Sequence, residues 1–174
     1  MAQAGKKDIG GTFNSNSVDT KEVYKIPVPS KGILRSITMA LRCQAGSSGA
    51  IRAVAYADDG TGKPGALLAV GPEVVLPAGA GLTWIDFPVP ATPWSGISFV
   101  HAGIWAGATT NQTQLAYDTL AGAGYWEANT YSSGGNPLAT WTAFNAHTHG
   151  GSVYINYSGG IMAVLRMRLR QRRR

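Results

Sequence analysis

Turn-forming residues divide this chain into short segments, and their spacing limits the possible folds more than any other feature. Clusters of Gly and Pro recur at intervals of about 8–15 residues, as they do between the strands of antiparallel sheets. No segment keeps the apolar period of about 3.6 residues over three turns, which argues against amphipathic helices. Charged residues make up only 14% of the chain, which argues against long polar helices as well. The sequence therefore predicts an all-β protein, an antiparallel sandwich or barrel.

Two segments predict strands most clearly. Between Ile33 and Cys43, apolar and polar side chains alternate, which is the period of a half-buried strand. Ala50–Ala57 is a run of small and apolar residues suited to close packing within a sheet. Shorter strands fit six further segments: Ala66–Val70, Glu73–Leu76, Leu82–Phe87, Gly96–Trp105, Gln114–Tyr117 and Ser152–Tyr157. The three prolines from Pro88 to Pro93 are expected in a loop or on a sheet edge, because proline cannot donate to a strand ladder.

The length of the chain is sufficient for a core without disulfide bonds. A chain of 174 residues buries about 69% of its unfolded surface on folding. Cys43 is the only cysteine, so no intramolecular disulfide can form. The N-terminus is basic but has no apolar stretch after it, so we expect no secretory signal. No apolar stretch is long enough to cross a bilayer, so we expect no membrane partner.

The positive charge is confined to the C-terminus. Of the 15 Lys and Arg residues, six fall within the last nine positions: Arg166, Arg168, Arg170, Arg172, Arg173 and Arg174. The remaining nine basic residues equal the nine acidic ones in number, so residues 1–165, called the body below, are neutral. From Ile161 to Leu169 the alternation of aliphatic residues with Met, Val and Arg favours a final strand. The tail can dock on an acidic partner through carboxylate pairs, bind nucleic-acid phosphates or remain solvated. Nucleic acid is the least favoured of the three.

Two groups of residues could hold a metal ion. In an extended segment, His147 and His149 would place two imidazoles on one face. A zinc site needs three or four ligands, and no third one can be identified from the sequence, so we expect loop residues here. Asp58, Asp59 and Asp118 offer oxygen ligands to calcium, but their spacing does not fit an EF-hand and Asp-Asp-Gly is ordinary turn chemistry. The sequence therefore predicts no metal site.

Motifs of catalysis and cofactor binding are weak or missing. The segment Gly60–Gly65 has the spacing G-x-G-x-x-G, but a dinucleotide site would need a helix to begin there, and Pro64 with strand-like residues follows. The G-x-S-x-G elbow is absent, and no pair of carboxylates has the pattern of a glycosidase. We therefore expect no catalytic residues, no cofactor and no enzymatic activity.

Aromatic residues suggest a second kind of site. Trp84 and Trp105 lie in strongly apolar segments and are expected in the core. Trp126, Tyr131 and Trp141 lie in a stretch rich in Gly, Ser and Asn, so they are the better surface candidates. Aromatic faces with polar edges suit the stacking of a sugar ring. These three residues are the predicted glycan contacts.

Several segments together resemble a known family of β-sandwich domains. The matching segments are Ile51–Gly60, Gly62–Ala69, Val74–Leu76, Trp84–Phe87, Gly103–Gly107, Ala116–Asp118, Asn129–Gly134 and Val153–Tyr157. In order and spacing they look like the jelly-roll domain of bacteriophage tail and minor structural proteins, which has relatives among accessory modules of secreted bacterial proteins. The resemblance covers residues 8–158. It divides the chain into an N-terminal arm (1–7), a jelly-roll sandwich (8–158) and a C-terminal strand with an arginine-rich tail (159–174).

The resemblance implies a non-enzymatic virion structural protein of a tailed bacteriophage, placed in the tail, in a fibre or on the capsid surface. Its expected partners are other virion proteins and further copies of the chain, with a trimer as one option. A secreted accessory module would carry an export signal, so its absence favours a particle assembled in the host cytoplasm. The alternative is a carbohydrate-binding module for host-surface glycans. Both roles are compatible in one virion protein.

Overall fold

Every regular element of the structure, a computed structural model, is a β-strand. The structure describes residues 1–15, 18–46, 48–107 and 113–159, with only the backbone of residues 120–123. Eleven strands lie in this part: β1 (Ala2–Gly5), β2 (Thr12–Ser15), β3 (Thr20–Pro27), β4 (Lys31–Cys43), β5 (Gly49–Asp58), β6 (Pro64–Leu76), β7 (Thr83–Ser95), β8 (Phe99–Ala106), β9 (Thr113–Ala128), β10 (Asn145–Gly151) and β11 (Val153–Ser158). All of their pairings are antiparallel, which confirms the predicted fold class. The jelly-roll connection stays a prediction.

One hydrogen-bonded sheet forms both layers of the fold because β9 belongs to each of them. The strand order is β1-β11-β4-β9-β3-β8-β5-β6, with β7 on β4 and with β2 and β10 on β9. The first part of β9 pairs with β2 and β4, at Thr113–Tyr117, and the last part pairs with β3, at Gly124–Ala128. The first layer therefore contains β1, β11, β4, β7 and β2, and the second contains β3, β8, β5 and β6. Such corners are typical of sheets that fold over onto themselves.

The main core lies between the two layers, and a smaller one covers the outer face of the second layer. Fully buried side chains such as Ile37 of β4 and Ile104 of β8 form the main core. Burial of each aliphatic side chain stabilises the fold by about 1.5–3 kcal/mol. Since successive side chains of a strand point to opposite faces, Trp105 belongs to the outer cluster. The outer cluster also contains Val54 and Trp141. The segment 129–144 covers it and pairs through Thr140 with β6.

The predicted strands are largely confirmed, with three differences. The segments Ala66–Val70 and Glu73–Leu76 form one strand, β6, which continues through the expected turn between them. Strand β7 continues from Thr83 through the three prolines to Ser95 and, among the described strands, pairs only with β4, so the prolines lie on an edge, as proline chemistry requires. Strand β4 is buried on both faces rather than one over residues 36–41.

The two ends of the chain were predicted as an N-terminal arm (1–7) and as a C-terminal strand with an arginine-rich tail (159–174). The N-terminal arm contains β1, which pairs with β11. The predicted strand at 161–169 and the arginine tail fall outside the described residues. No helix in the described part of the chain has the length and hydrophobicity to cross a membrane.

Candidate functional site

A cleft of about 230 Å³ opens at the corner where β9 passes from one layer to the other. Its walls come from four strands: β2, β3, β9 and β10. The lining side chains are Asn14, Ser15, Thr20, Glu22, Trp126, His147 and His149. Residues far apart in the sequence therefore meet only in the folded chain.

The alternation of side chains along β3 decides which residues reach the cleft. Directly opposite residues of an antiparallel pair share a face, and successive residues point to opposite faces. Lys21 lies opposite Glu127 of β9, and Glu22 lies opposite Trp126. Glu22 and Trp126 therefore face the cleft, while Lys21 and Glu127 face the outer cluster.

Glu22 carries a nearly buried carboxylate, with only 5% of the residue exposed. Asn14 Nδ2 donates to Oε2 at 3.0 Å and to Oε1 at 3.2 Å. The Tyr24 hydroxyl donates to Oε1 as well. Burial, with a further contribution from the Glu22 charge, raises the pKa of Tyr24 well above its usual value, so this hydroxyl stays a neutral donor. These donors fix the orientation of the carboxylate.

The two histidines lie on β10, not in the loop that the sequence predicted. They are two positions apart on one strand, so their rings share a face, with centroids 5.0 Å apart. From His147 to His149 the facing strand advances from Gly124 to Thr119, so β9 bulges outward opposite the pair. Both rings lie on the side of β10 that meets Glu22.

Close packing fixes each ring. A Cβ atom at Gly124 would overlap the His147 ring, so glycine is required at that position. The Tyr24 ring meets His147 edge-on with a centroid distance of 5.3 Å. The His149 ring packs against Tyr117 with a centroid distance of 4.1 Å. Neither imidazole can rotate freely.

The ring nitrogens have unused bonding capacity. Nδ1 and Nε2 of His147 and Nδ1 of His149 are buried, and no described residue forms a hydrogen bond with them. Nε2 of His147 lies 3.1 Å from Oε1 of Glu22, at an angle that forms no hydrogen bond. Burial and the neighbouring His149 lower the pKa of His147 to about 4, so the ring is neutral at pH 7. The ligand atoms of Glu22, His147 and His149 all lie within 4.8 Å of one another.

The structure separates the three aromatic residues that the sequence predicted as glycan contacts. Trp126 lines the cleft and is 42% exposed. Trp141 is 4% exposed and belongs to the outer cluster, so its expected surface position is wrong: the ring covers Lys21. Tyr131 is half-buried against Trp105, at a centroid distance of 4.7 Å. The three rings therefore form no common platform, and glycan contact through Trp126 stays a prediction.

The other predicted ligands are distributed over separate places. Asp58 and Asp59 accept hydrogen bonds from the backbone amides of their own turn, as expected for Asp-Asp-Gly. Asp118 pairs with Lys6, whose Nζ lies 2.6 Å from Oδ2. Within the described residues, His, Cys, Asp and Glu side chains gather as a group of three only around His147. The predicted docking arginines, Arg166 to Arg174, lie outside the described residues.

Sequence reasoning identified the histidine pair and missed Glu22. The β-forming residues Val23, Tyr24 and Ile26 follow it directly and could have indicated a strand, but the charges around them broke the alternation. Comparison of the chain with protein-family models, with curated proteins and with solved structures finds no match. Chemically, the cleft offers one oriented carboxylate, two imidazoles and one exposed indole.

Proposed function

We propose that this chain is a non-enzymatic structural subunit of a tailed-bacteriophage particle, which assembles with copies of itself and with other particle proteins. The observation that carries the proposal is that the body neutralises its charges internally. Lys21 and Glu127 form a fully buried ion pair, with Nζ 2.5 Å from Oε1. Lys6 and Asp118 pair at the surface. With nine basic and nine acidic residues, the body has no net charge that would oppose the approach of another subunit.

Other cations of the body are covered by aromatic rings. Nζ of Lys25 lies 4.0 Å from the ring centroid of Phe99, and the guanidinium carbon of Arg42 lies 3.5 Å from that of Phe13. Such contacts hold a cation against its own subunit. The central parts of subunit interfaces are depleted in charged residues, so this surface suits association.

Large apolar side chains remain on the same surface. The exposed residues include Val75, Leu138 and Phe144. Contact with another protein would bury these apolar side chains. Leu138 and Phe144 both belong to the segment 129–144, and Val75 lies on β6, which this segment pairs with. This side of the second layer is the favoured interface for a neighbouring subunit.

The arginine-rich tail would anchor the subunit. The neutral body leaves the net charge of +6 in the last nine positions, where arginine can form bidentate pairs with carboxylates of a neighbour. A tail that binds through such pairs needs the guanidinium geometry, whereas nucleic-acid phosphates also accept lysine as a point charge. The two kinds of partner can therefore be distinguished by substitution.

The test uses full-length variants in a phage that carries this gene. We expect the wild-type chain in purified particles and an all-glutamine variant of the six tail arginines to be absent from them. An all-lysine variant is the matched control for charge, and we expect it to be incorporated poorly. Absence of the wild-type chain from particles would contradict the proposal, and normal incorporation of the glutamine variant would contradict the anchoring role.

Trp126 favours a second function, the binding of a host-surface glycan. Its exposed indole stands beside the polar side chains of Asn14 and Ser15, and a sugar ring stacks on an indole face while its hydroxyls bond polar neighbours. We expect glycan-array binding that is lost in Trp126→Ala. Phe144→Ala is the control, because Phe144 is equally exposed, at 43%, and lies outside the cleft. Equal loss in both variants would contradict a glycan site in the cleft.

A further inference from the structure

We propose that Glu22, His147 and His149 bind one divalent first-row transition cation, of which Zn²⁺ is the representative. The proposal does not depend on the chain being a particle subunit. It rests on the donor set, on the distances between the donor atoms and on the unpartnered nitrogens described above.

The donor set selects the class of cation. Two imidazole nitrogens and one carboxylate oxygen suit zinc and its neighbours in the first transition row. Calcium takes six to eight oxygen ligands and magnesium near-octahedral oxygen, so neither fits a site with two nitrogen donors. The histidines therefore decide the class, and the carboxylate balances part of the charge.

The distances are close to those of a tetrahedral site. Ligand atoms bound tetrahedrally to zinc at about 2.0–2.2 Å are separated from one another by roughly 3.3–3.6 Å. His147 Nε2 and Glu22 Oε1 are already 3.1 Å apart. No two ligand atoms of the group are more than 4.8 Å apart, so a shift of at most about 1.5 Å brings the third ligand to the tetrahedral spacing.

Surrounding residues hold the ligands in this arrangement. Asn14 and Tyr24 orient the carboxylate of Glu22 through hydrogen bonds. Partners of this kind, one step away from the metal, set the orientation of the ligands and raise affinity about 10–100-fold. All three ligands lie on strands, which position side chains more accurately than loops do.

The buried nitrogens without partners are an independent indication of a missing ligand. A buried polar atom with no hydrogen bond destabilises the fold, and three atoms without a partner among the described residues lie on these two rings. A cation would use one lone pair from each ring and remove part of this cost. Three protein ligands would leave a fourth position open toward Trp126 and the cleft, where water or an oxygen-bearing ligand can bind.

The first experiment measures zinc affinity by competition with a chelator. We expect one zinc per wild-type chain, and at least about a tenfold loss of affinity in Glu22→Gln, His147→Gln and His149→Gln. Glu73→Gln is the matched control, because Glu73 is exposed and lies outside the cleft. Absence of stoichiometric zinc from the wild-type chain would overturn the proposal, as would unchanged affinity in the three cleft variants.

A second measurement uses the wild-type chain, so that a folding defect in a variant cannot obscure the result. Zinc titration is followed by the nitrogen chemical shifts of the three imidazole rings. We expect His147 and His149 to shift together at one equivalent, while His101, which pairs with Asp58 outside the cleft, stays unchanged. Unchanged signals of His147 and His149, or an equal shift of His101, would overturn the proposal.

Discussion

Two adjacent residues of β3 lead to polar centres of opposite character. On the outer face, Lys21 Nζ contacts Glu127 and donates to the Tyr56 hydroxyl at 2.9 Å. Its ammonium also lies 4.7 Å from the ring centroid of Trp141. On the inner face, Glu22 meets two imidazoles whose buried nitrogens have no hydrogen-bond partner in the described part of the chain. The first centre is closed by the protein itself, and the second has bonding capacity left for a ligand.

The electrostatics of the closed centre explain why it is structural. Burial lowers the pKa of Lys21, although its hydrogen bond with Glu127 opposes the change. Burial alone would raise the pKa of Glu127, but the Lys21 contact and the amides of Ala143 and Thr142 outweigh it, so that pKa is lowered. The carboxylate therefore stays charged and fastens the segment 129–144 to the sheet. The Lys21–Glu127 centre therefore holds the fold together, whereas the centre around Glu22 can still bind a ligand.

The largest loss of stability is expected when the buried Lys21–Glu127 ion pair is broken. In Lys21→Met the buried carboxylate of Glu127 loses its counter-ion, which costs about 4 kcal/mol of unfolding free energy. Urea denaturation measures the loss. The double variant Lys21→Met with Glu127→Gln removes both charges, keeps an oxygen that can accept from the amides of Thr142 and Ala143, and should recover most of it. A single variant as stable as the wild type would show that the ion pair does not hold this face together.

Trp141 beside the closed centre and Trp126 in the open cleft allow the two regions to be compared by their packing. Trp141→Ala removes a buried ring from the outer cluster and should cost about 3 kcal/mol. Trp126→Ala removes an exposed ring from the open cleft and should stay within about 1 kcal/mol of the wild type. Thermal and urea unfolding of both variants give the comparison. Equal costs would contradict the assignment of Trp141 to the core and Trp126 to the surface.

A smaller effect is expected from the carboxylate of the open centre. Glu22→Gln keeps an oxygen that can accept from Asn14 and Tyr24, so it should cost about 1 kcal/mol in metal-free protein. The measurement is the same urea titration. A loss as large as that of Lys21→Met would mean that Glu22 is structural, like its neighbour.

The smallest effect concerns His101, which stands between the two cases because one nitrogen faces Asp58 and the other has no partner. Burial lowers its pKa, although the Asp58 contact opposes the shift. As pH falls below about 6.5, the unfolded chain binds this proton before the folded chain does, so the group reduces stability there and not above it. An NMR titration of the ring measures the folded pKa. A midpoint above 6.5 would contradict the expectation.

Local sequence pattern was sufficient for the strands that follow their own alternation. Strands β4 and β5 are recognisable because apolar residues recur in them at short intervals. Strand β3 was not predicted, because Lys21 and Glu22 interrupt its pattern and their burial depends on distant partners. Strand β10 was not predicted either, because Asn145–Gly151 contains few residues that favour strands.

The cleft could be predicted only in part for the same reason. Two histidines at alternate positions indicate a shared face if the segment is extended, and the structure confirms both points. The carboxylate that completes the group stands on another strand, and only the pairing of β3 with β9 and of β9 with β10 brings it near. The polar residues around Trp141 indicate an exposed loop. In the structure their segment, 129–144, covers the buried Lys21–Glu127 ion pair.

The course of β9 through both layers has a mechanical consequence. In a sandwich whose layers touch only through apolar side chains, a pulling force can slide one layer over the other. Here a single backbone with ladder partners on each side of the corner joins them. Load applied to one layer is therefore carried into the other along covalent bonds, and shear must first break the ladders on β9.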